Sequence, residues 1–176
     1  MNEVMTESFV LRAMARPSLR EKIVNAGTMS LYCDYAGFAA RNAYGVACCT
    51  VYNRTVLVSM KPLMLERDPG SNYGEMMAIG LSLDAVSAAL TDADTRPSFA
   101  IVYSDCSRIS RLLAQSYFAD SHVEQARDEV IAKLTVLHRQ FPEVNVQIRY
   151  IGRHKKNNEF HRLAHNAARG AALRSE

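Results

Sequence analysis

Apolar residues gather in five short runs along the chain, and these runs are rich in β-branched and aromatic residues. Runs of this length and composition are typical of β-strands. The third run follows the second after a two-residue connection, which indicates a hairpin. The sequence therefore predicts five strands, at 29–36, 44–52, 55–61, 98–104 and 144–151.

Between these strands, apolar residues recur at three- and four-residue steps, the spacing of amphipathic helices. The clearest case follows a turn signal at 68–70, after which Ser71 or Asn72 is positioned to cap the helix. Its apolar face contains Met76, Ile79, Leu83, Val86 and Leu90. Further helices are predicted at 106–118, 123–140 and 158–173.

The order of these elements constrains the topology. Residues 1–28 are predicted to form a short helical extension, interrupted at Pro17 and followed by a domain at 29–176 with the order βββαβααβα. The first three strands are expected to pair as an antiparallel meander, and the last two to arrive through helical crossovers, which favours parallel pairing. The predicted fold class is α/β, with a five-stranded mixed sheet (three antiparallel strands plus two parallel) flanked by helices.

Composition narrows the class of protein. The chain has 176 residues, of which 48% are hydrophobic, enough for one domain with a substantial core. No apolar run approaches the roughly 20 residues that cross a bilayer, and the N-terminus lacks the pattern of a secretory signal. The four cysteines form no CxxC pair, which argues against a zinc or disulfide framework. We expect reduced thiols, a cytoplasmic location and no membrane partner.

Charge is concentrated near the C-terminus. The formal net charge is only +3, but the segment 149–174 contains seven basic residues, with Glu159 as its single acid. Such a segment can attract a phosphate backbone, and it can equally be a solvated basic helix. By itself it does not decide between these two interpretations.

Three acidic residues stand in informative positions. Asp34 and Asp105 each end an apolar, strand-like run, and Glu75 falls in the first turn predicted for the helix after 68–70. If the fourth strand lies beside the first, Asp34 and Asp105 meet near the carboxyl ends of neighbouring strands, where open α/β sheets place their sites. Clustered carboxylates repel one another unless a cation joins them. Hard divalent ions suit such a set, and a pair of them can promote phosphodiester cleavage.

These motifs resemble the ribonuclease H type 1 family over about residues 29–173. The resemblance rests on the strand ending in Asp34, on the helix start at 72–79, on Ser104-Asp105 and on the segments 152–154 and 163–169. It implies Mg²⁺- or Mn²⁺-dependent hydrolysis, at a two-metal site, of the RNA strand in an RNA–DNA hybrid. It also implies metal-binding roles for Asp34, Glu75 and Asp105, and a role for His154 in proton transfer or product release.

The chain departs from the family at the fourth carboxylate. His165 occupies that position within the run 164–169. A shifted alignment would put His161 there but needs a shortened loop, so we favour His165 as the fourth metal ligand. Because imidazole is softer than carboxylate, we expect a weaker second metal site and a preference for Mn²⁺. A second departure is Tyr35, where the family often has glycine.

Substrate contacts follow from the same resemblance. It implies minor-groove contacts for Asn42, Ser71, Asn72 and Ser107, and Ser71 and Asn72 serve equally well as helix caps. Polar groups near the 2′-hydroxyl are what separate RNA from DNA at such a site. The basic loop offers phosphate contacts through Arg153, Lys155 and Lys156.

Three functions remain open at this point. The leading hypothesis is an endonuclease that hydrolyses the RNA strand of RNA–DNA hybrids. A non-catalytic nucleic-acid-binding module of the same fold is the alternative, supported by the replaced fourth carboxylate. A nuclease of that fold acting on DNA is the third.

Overall fold

The strands form one six-stranded mixed sheet. The computed structural model describes residues 2–4 and 7–174. Its strands are β1 (Asn2–Val4), β2 (Thr28–Phe38), β3 (Ala43–Tyr52), β4 (Thr55–Leu63), β5 (Phe99–Ser104) and β6 (Asn145–Tyr150). Their order across the sheet is β1-β4-β3-β2-β5-β6. The neighbouring pairs β1–β4, β4–β3 and β3–β2 are antiparallel, and the pairs β2–β5 and β5–β6 are parallel. The predicted fold class is confirmed, and the short edge strand β1 is an addition to it.

Six helices and two short 3-10 segments complete the described chain. The helices are α1 (Glu7–Met14), α2 (Pro17–Val24), α3 (Ser71–Asp92), α4 (Ile109–Ala114), α5 (Ser121–Gln140) and α6 (Glu159–Leu173). The 3-10 segments are Ala39–Arg41 and Gly152–Asn157. The helix predicted at 106–118 was too long, because the helical residues are only those of α4.

The hairpin between β3 and β4 has a local cause. Tyr52 pairs with Thr55, so only Asn53 and Arg54 form the turn. Both have positive φ, 44° and 66°, which a two-residue hairpin turn needs to match the twist of its strands. The predicted hairpin is therefore confirmed.

Alternating side chains of β2 divide the core into two layers. Met29, Leu31 and Cys33 pack in the cluster that contains α3, α4 and α5. Tyr32, one residue along, packs on the opposite face with Phe160 of α6. This alternation is the ordinary period of a strand, and it means that Asp34 shares the α6 face with Tyr32.

Helix α6 lies unusually close to the sheet because its facing residues are small. Ala164, Ala168, Ala171 and Ala172 are buried along it. A Cβ on Gly45 of β3 would lie 2.5 Å from both the Ala168 carbonyl oxygen and the Ala172 nitrogen. Glycine at this point therefore sets the height of α6 above β2 and β3.

Helices α1 and α2 cover the same face. Ala13, Leu19 and Ile23 are buried in one cluster with strand residues and Phe160. The Arg54 nitrogen donates to the Ile23 carbonyl at 2.7 Å, which joins α2 to the hairpin turn. Helices α1 and α2 lie in the segment predicted to be helical, whereas residues 2–4 form the strand β1. The division into an extension at 1–28 and a domain at 29–176 stays a prediction.

Two expectations drawn from composition can be compared with the structure. The four cysteines are free thiols, and Cys33, Cys48 and Cys49 are buried in strands. Among the described residues, no helix combines the length and apolar character that crossing a membrane requires. The cytoplasmic location stays a prediction.

The close contact at Gly45 generates a stability prediction. We expect Gly45→Ala to lower the free energy of unfolding by about 1–3 kcal/mol, because the added methyl group overlaps backbone atoms of α6 that cannot rotate away. Gly170→Ala is the matched control, since a Cβ there meets no heavy atom within 4 Å. Better helix propensity should make the control variant about 1 kcal/mol more stable. Urea unfolding measures both, and a Gly45→Ala protein as stable as the parent would contradict this account.

Candidate metal centre

The parallel pairing of β2 with β5 brings two carboxylates together. The last paired residues of the two strands are Tyr32 of β2 and Tyr103 of β5. If the same register is continued for two residues, Asp34 lies opposite Asp105. Asp34 lies within β2 and still pairs with Ala47 of β3, whereas Asp105 directly follows β5. Asp34 is only 3% exposed. The strand order thus produces the juxtaposition expected from the sequence.

Glu75 approaches the carboxyl ends of β2 and β5 from α3, on the opposite face of the sheet from α6. Its Oε2 accepts a hydrogen bond from Ser104 Oγ at 3.0 Å, and Ser104 is the residue before Asp105. Helix α3 begins at Ser71 with Gly70 as its N-cap and no side-chain cap. Glu75 therefore lies in the second turn, so its predicted place in the first turn and the predicted capping by Ser71 or Asn72 were wrong.

Helix α6 brings His161 to the two aspartates. His161 Nε2 lies 3.9 Å from Asp34 Oδ1 and 3.9 Å from Asp105 Oδ2. One candidate ligand atom from each of these three residues lies within 4.8 Å of the others. His161 is 3% exposed, and its Nε2 has no hydrogen-bond partner among the described residues. Asn158 caps α6, because its Oδ1 accepts a hydrogen bond from the backbone nitrogen of His161 at 2.9 Å. This bond fixes the residue at which the first turn of α6 begins.

His165 contacts the cluster from one helical turn further along. Its Nδ1 donates to Asp34 Oδ2 at 2.7 Å, and its side chain is about half exposed. The role of His165 as the fourth metal ligand stays a prediction, while His161 has the buried position between both aspartates. Residues four apart share one face of a helix, so the spacing of His161 and His165 was the available signal that both could reach Asp34.

Burial and like charge shape the protonation of the cluster. Burial, followed by the charges of Asp105 and Asp34, raises the pKa of Glu75 to about 9. The pKa of Asp34 is also raised, chiefly by burial and then by Asp105, although contact with His165 opposes this rise. Burial lowers the pKa of His161. His161 therefore favours the neutral form, which is the form that binds metals.

Lys155 supplies the nearest positive charge. Its Nζ donates to Asp105 Oδ2 at 2.5 Å, and the side chain is half exposed. This hydrogen bond is the main reason that the pKa of Lys155 is raised. A residue predicted to contact substrate thus partly neutralises one of the carboxylates.

The predicted minor-groove residues are held by local contacts. Asn42 adopts a left-handed conformation with φ 48°, and its Nδ2 donates to the Leu65 carbonyl at 2.8 Å. Asn72 Oδ1 accepts from Arg108 at 3.1 Å. Ser71 opens α3, and Ser107 is exposed between β5 and α4. Their roles in substrate contact stay predictions.

The segment Gly152–Asn157 carries the remaining predicted residues. Arg153, His154 and Lys156 are all exposed on it. His154 lines a cavity that also involves Tyr103, and none of the three carboxylates is among the described residues around that cavity. The structure thus brings Lys155 to the cluster and directs His154 elsewhere. The roles predicted for Arg153, His154 and Lys156 stay predictions.

Tyr35 occupies the position where the family often has glycine, and its ring packs against α3. A Cβ on Gly74 would lie 2.2 Å from Tyr35 Cγ, so the ring rests directly on that backbone. Because successive strand residues point to opposite faces, Tyr35 enters the α3 layer while Asp34 enters the α6 layer. The missing side chain of Gly74 therefore leaves space for the Tyr35 ring, and the ring does not enter the layer that contains Asp34.

Comparisons with known proteins give one kind of match. No family model matches the chain, and no curated protein matches its sequence. Solved structures do match. Ribonuclease H1 of the halophilic archaeon Halobacterium salinarum is 18% identical with a TM-score of 0.59, over 85% of this chain and 100% of that one. An N-terminal ribonuclease H domain from Mycobacterium tuberculosis is 15% identical with a TM-score of 0.57, over 85% and 99%.

A third similar structure contains a ligand. LC11-RNase H1, which was isolated from compost, was solved in complex with an RNA/DNA hybrid. It is 15% identical to this chain with a TM-score of 0.59, over 84% of this chain and 98% of that one. These three matches cover about 85% of this chain and nearly the whole of each of the three similar chains. The chain therefore has the ribonuclease H fold.

Proposed function

We propose that this protein is a metal-dependent endonuclease that hydrolyses the RNA strand of RNA–DNA hybrids. The observation that carries the proposal is the convergence of Asp34, Asp105 and His161, whose candidate ligand atoms lie within 4.8 Å of one another. Two of the similar structures described above are ribonucleases H1, and one of these two holds an RNA/DNA hybrid. Fold and residue set point to the same chemistry.

The charge balance of the cluster supports a bound cation. Asp34 and Glu75 are buried, and this burial, followed by the charges of neighbouring carboxylates, raises the pKa of each. His161 Nε2 is buried without a hydrogen-bond partner among the described residues. A divalent ion offsets the repulsion between carboxylates and accepts the lone pair of a neutral imidazole. These residues therefore fit a metal ion.

We assign Asp34, Glu75 and Asp105 as carboxylate ligands and prefer His161 to His165 as the imidazole ligand. His165 then orients Asp34 through Nδ1, as groups around metal sites commonly orient the ligands. Bound Mg²⁺ or Mn²⁺ supplies activation of a water and stabilisation of the leaving oxygen. An imidazole ligand favours Mn²⁺ over Mg²⁺.

The substrate side of the proposal rests on Lys155 and its neighbours. Lys155 already contacts Asp105, so a cation at Asp105 would release its ammonium group toward a phosphate. Arg153 and Lys156 are exposed on the same segment and would bind the phosphate backbone, the guanidinium through paired N–H groups and the ammonium as a point charge. Exposed Asn42 and Ser107 keep their proposed role beside the 2′-hydroxyl groups.

A non-catalytic binding module is the second candidate. Its support is the pair of histidines on α6 in place of a fourth carboxylate, together with the Lys155–Asp105 contact. An imidazole carries one negative charge fewer than a carboxylate and attracts a second cation less strongly. Such a protein would keep the basic surface and the fold while losing turnover.

The first prediction separates these candidates. We expect cleavage of the RNA strand of a labelled hybrid in Mn²⁺, and a loss of more than about 100-fold in Asp34→Asn because the central ligand is weakened. Duplex DNA and duplex RNA serve as substrate controls. Binding of the hybrid without cleavage in either metal would favour the module, and cleavage of duplex DNA would indicate a DNA nuclease.

The second prediction distinguishes the two histidines. His161→Phe keeps the ring bulk and removes the lone pair, so we expect saturable Mn²⁺ binding to disappear. His165→Phe, the matched control, should weaken binding by about 10- to 100-fold, as loss of an orienting group does. Isothermal titration calorimetry with Mn²⁺ measures both without relying on turnover. The reverse order of effects would assign the ligand role to His165.

The third prediction concerns pH in the absence of metal. Because the pKa of Glu75 is raised from 4.5 to about 9, the folded protein holds a proton that the unfolded chain has lost between these values. Stability should therefore fall as pH rises from about 5 to 9, by at most about 1.4 kcal/mol per pH unit from this group.

Urea unfolding in a chelator at several pH values measures this dependence. Glu75→Gln should flatten the decline, and the comparison with the parent cancels the opposite contribution of His161, whose pKa is lowered. Added Mn²⁺ should stabilise the parent more at pH 8 than at pH 6, because binding needs deprotonated ligands. Identical pH profiles for the parent and Glu75→Gln would contradict the raised pKa.

A further inference from the structure

A cavity of about 490 Å³ lies on the α6 face of the sheet, and none of the described residues that line it is assigned above to the metal centre. Its walls come from α2, from β2 and β5, and from the segment that runs from Gly152–Asn157 into the start of α6. The volume falls within the range of small-molecule sites in proteins.

One wall of the cavity is an aromatic stack. The ring of Tyr32 lies between Tyr103, at a centroid distance of 5.2 Å and an angle of 16°, and Phe160, at 5.7 Å and 27°. Tyr32 and Phe160 are buried, whereas Tyr103 is partly exposed at the end of the stack. Leu19 and Ile151 complete this apolar wall. A flat aromatic ligand can stack on the exposed end of such a wall, because stacking uses the face of the ring and needs no hydrogen-bond partner.

The other side chains that line the cavity are basic or polar. Lys22 of α2 is partly buried there, while His154 and Asn157 approach from the 3-10 segment. None of the described residues that line the cavity is acidic. Cationic and amide donors beside an aromatic stack suit a ligand that combines a ring system with an anionic group.

Helix α2 is held firmly as part of this wall. Leu19 and Ile23 are buried against the cluster that contains Phe160. Arg16, the residue before α2, forms an ion pair with Glu159 at the start of α6. The two helices that border the cavity are therefore linked by both apolar and ionic contacts.

The cavity and the metal centre are built from neighbouring residues of the same segments. Tyr103 precedes Asp105 by two residues, and Asn158, which lines the cavity, also caps the turn that carries His161. Lys155 lies in the same 3-10 segment as His154 and contacts Asp105. The end of β5, the 3-10 segment and the start of α6 therefore contribute residues to both the cavity and the carboxylate cluster.

We propose that this cavity binds one unpaired nucleotide, with its base stacked on Tyr103 and its phosphate bonded by Lys22 and His154. The inference rests on the proposed function for the source of that nucleotide, which would be a single-stranded overhang of the hybrid. A free nucleotide has the same chemistry, and the experiment separates the two sources.

Binding of hybrids with and without an overhang tests the proposal. In an Asp34→Asn background that prevents turnover, fluorescence anisotropy compares a blunt hybrid with the same hybrid carrying a three-nucleotide RNA overhang. We expect the overhang to bind about fivefold tighter or more, the gain that one stacked base provides. Lys22→Gln should abolish most of that gain. Arg20→Gln, the same charge loss on an exposed part of α2 outside the cavity lining, should retain it.

Adenosine monophosphate and ribose 5-phosphate, titrated into the unmodified chain, test the stack. The first should bind and the second should not, and Tyr103→Leu should remove the difference while keeping apolar bulk. Nucleotide binding that depends on Lys22 without any overhang preference would support the site with a free nucleotide as its source. Equal affinity for both hybrids together with no nucleotide binding would overturn the proposal. Equal effects of Lys22→Gln and Arg20→Gln would also overturn it.

The binding experiments and the nuclease assay can fail separately, so the cavity and the proposed function are tested independently. Lys22→Gln should cleave blunt hybrid at the rate of the parent, because Lys22 lies outside the carboxylate cluster. If the parent cleaves no substrate but still binds the nucleotide, the proposed function is refuted and the nucleotide site in the cavity is retained. Cleavage retained with no nucleotide binding would refute the cavity alone.

Discussion

Repulsion between carboxylates that the sheet forces together is the constraint on which the site depends. The parallel register of β2 and β5 sets Asp34 opposite Asp105, and Asp34 cannot move away without disturbing its pairing with Ala47 of β3. Glu75 adds a third carboxylate through its hydrogen bond from Ser104. In a buried setting this arrangement is costly unless positive or neutral donors surround it. His165 on Asp34 and Lys155 on Asp105 provide those donors, and they leave His161 Nε2 between the two aspartates.

The height of α6 above the sheet decides whether its histidines can serve this purpose. Gly45 and the buried alanines of α6 bring the helix axis close to β3. With a larger residue at position 45, the helix would rise and His161 would lose its distances to both aspartates. A packing feature made only of small, apolar residues thus sets the position of the helix that carries His161. This is why the stability variant at Gly45 and the metal-binding variants probe one connected structure.

The sequence predicted the features that depend on local pattern. Strand periodicity and the crossover order sufficed for the sheet and for Asp34 beside Asp105. The sequence did not predict the residue at which α3 begins, nor the features that are set by tertiary contact. Gly70 caps α3, so Glu75 fell one turn later than expected. The choice between His161 and His165 depends on how α6 lies over β2, and both residues share one helical face. The reach of Lys155 to Asp105 depends on the path of a 3-10 segment, for which the sequence carries no periodic signal.

Tyr35 illustrates how a departure from a family pattern can be absorbed. A bulky residue after Asp34 would be expected to obstruct the site, yet strand alternation sends its ring into the opposite layer. There the ring rests on Gly74, whose missing Cβ would otherwise lie 2.2 Å away. Gly74 is also the residue before Glu75, so the contact fixes the turn of α3 that carries this carboxylate. Burial of the ring raises the pKa of Tyr35 to about 12, so the phenol remains neutral and adds no charge beside Glu75. Tyr35 and Gly74 therefore act as one packing unit that helps to hold the third carboxylate in place.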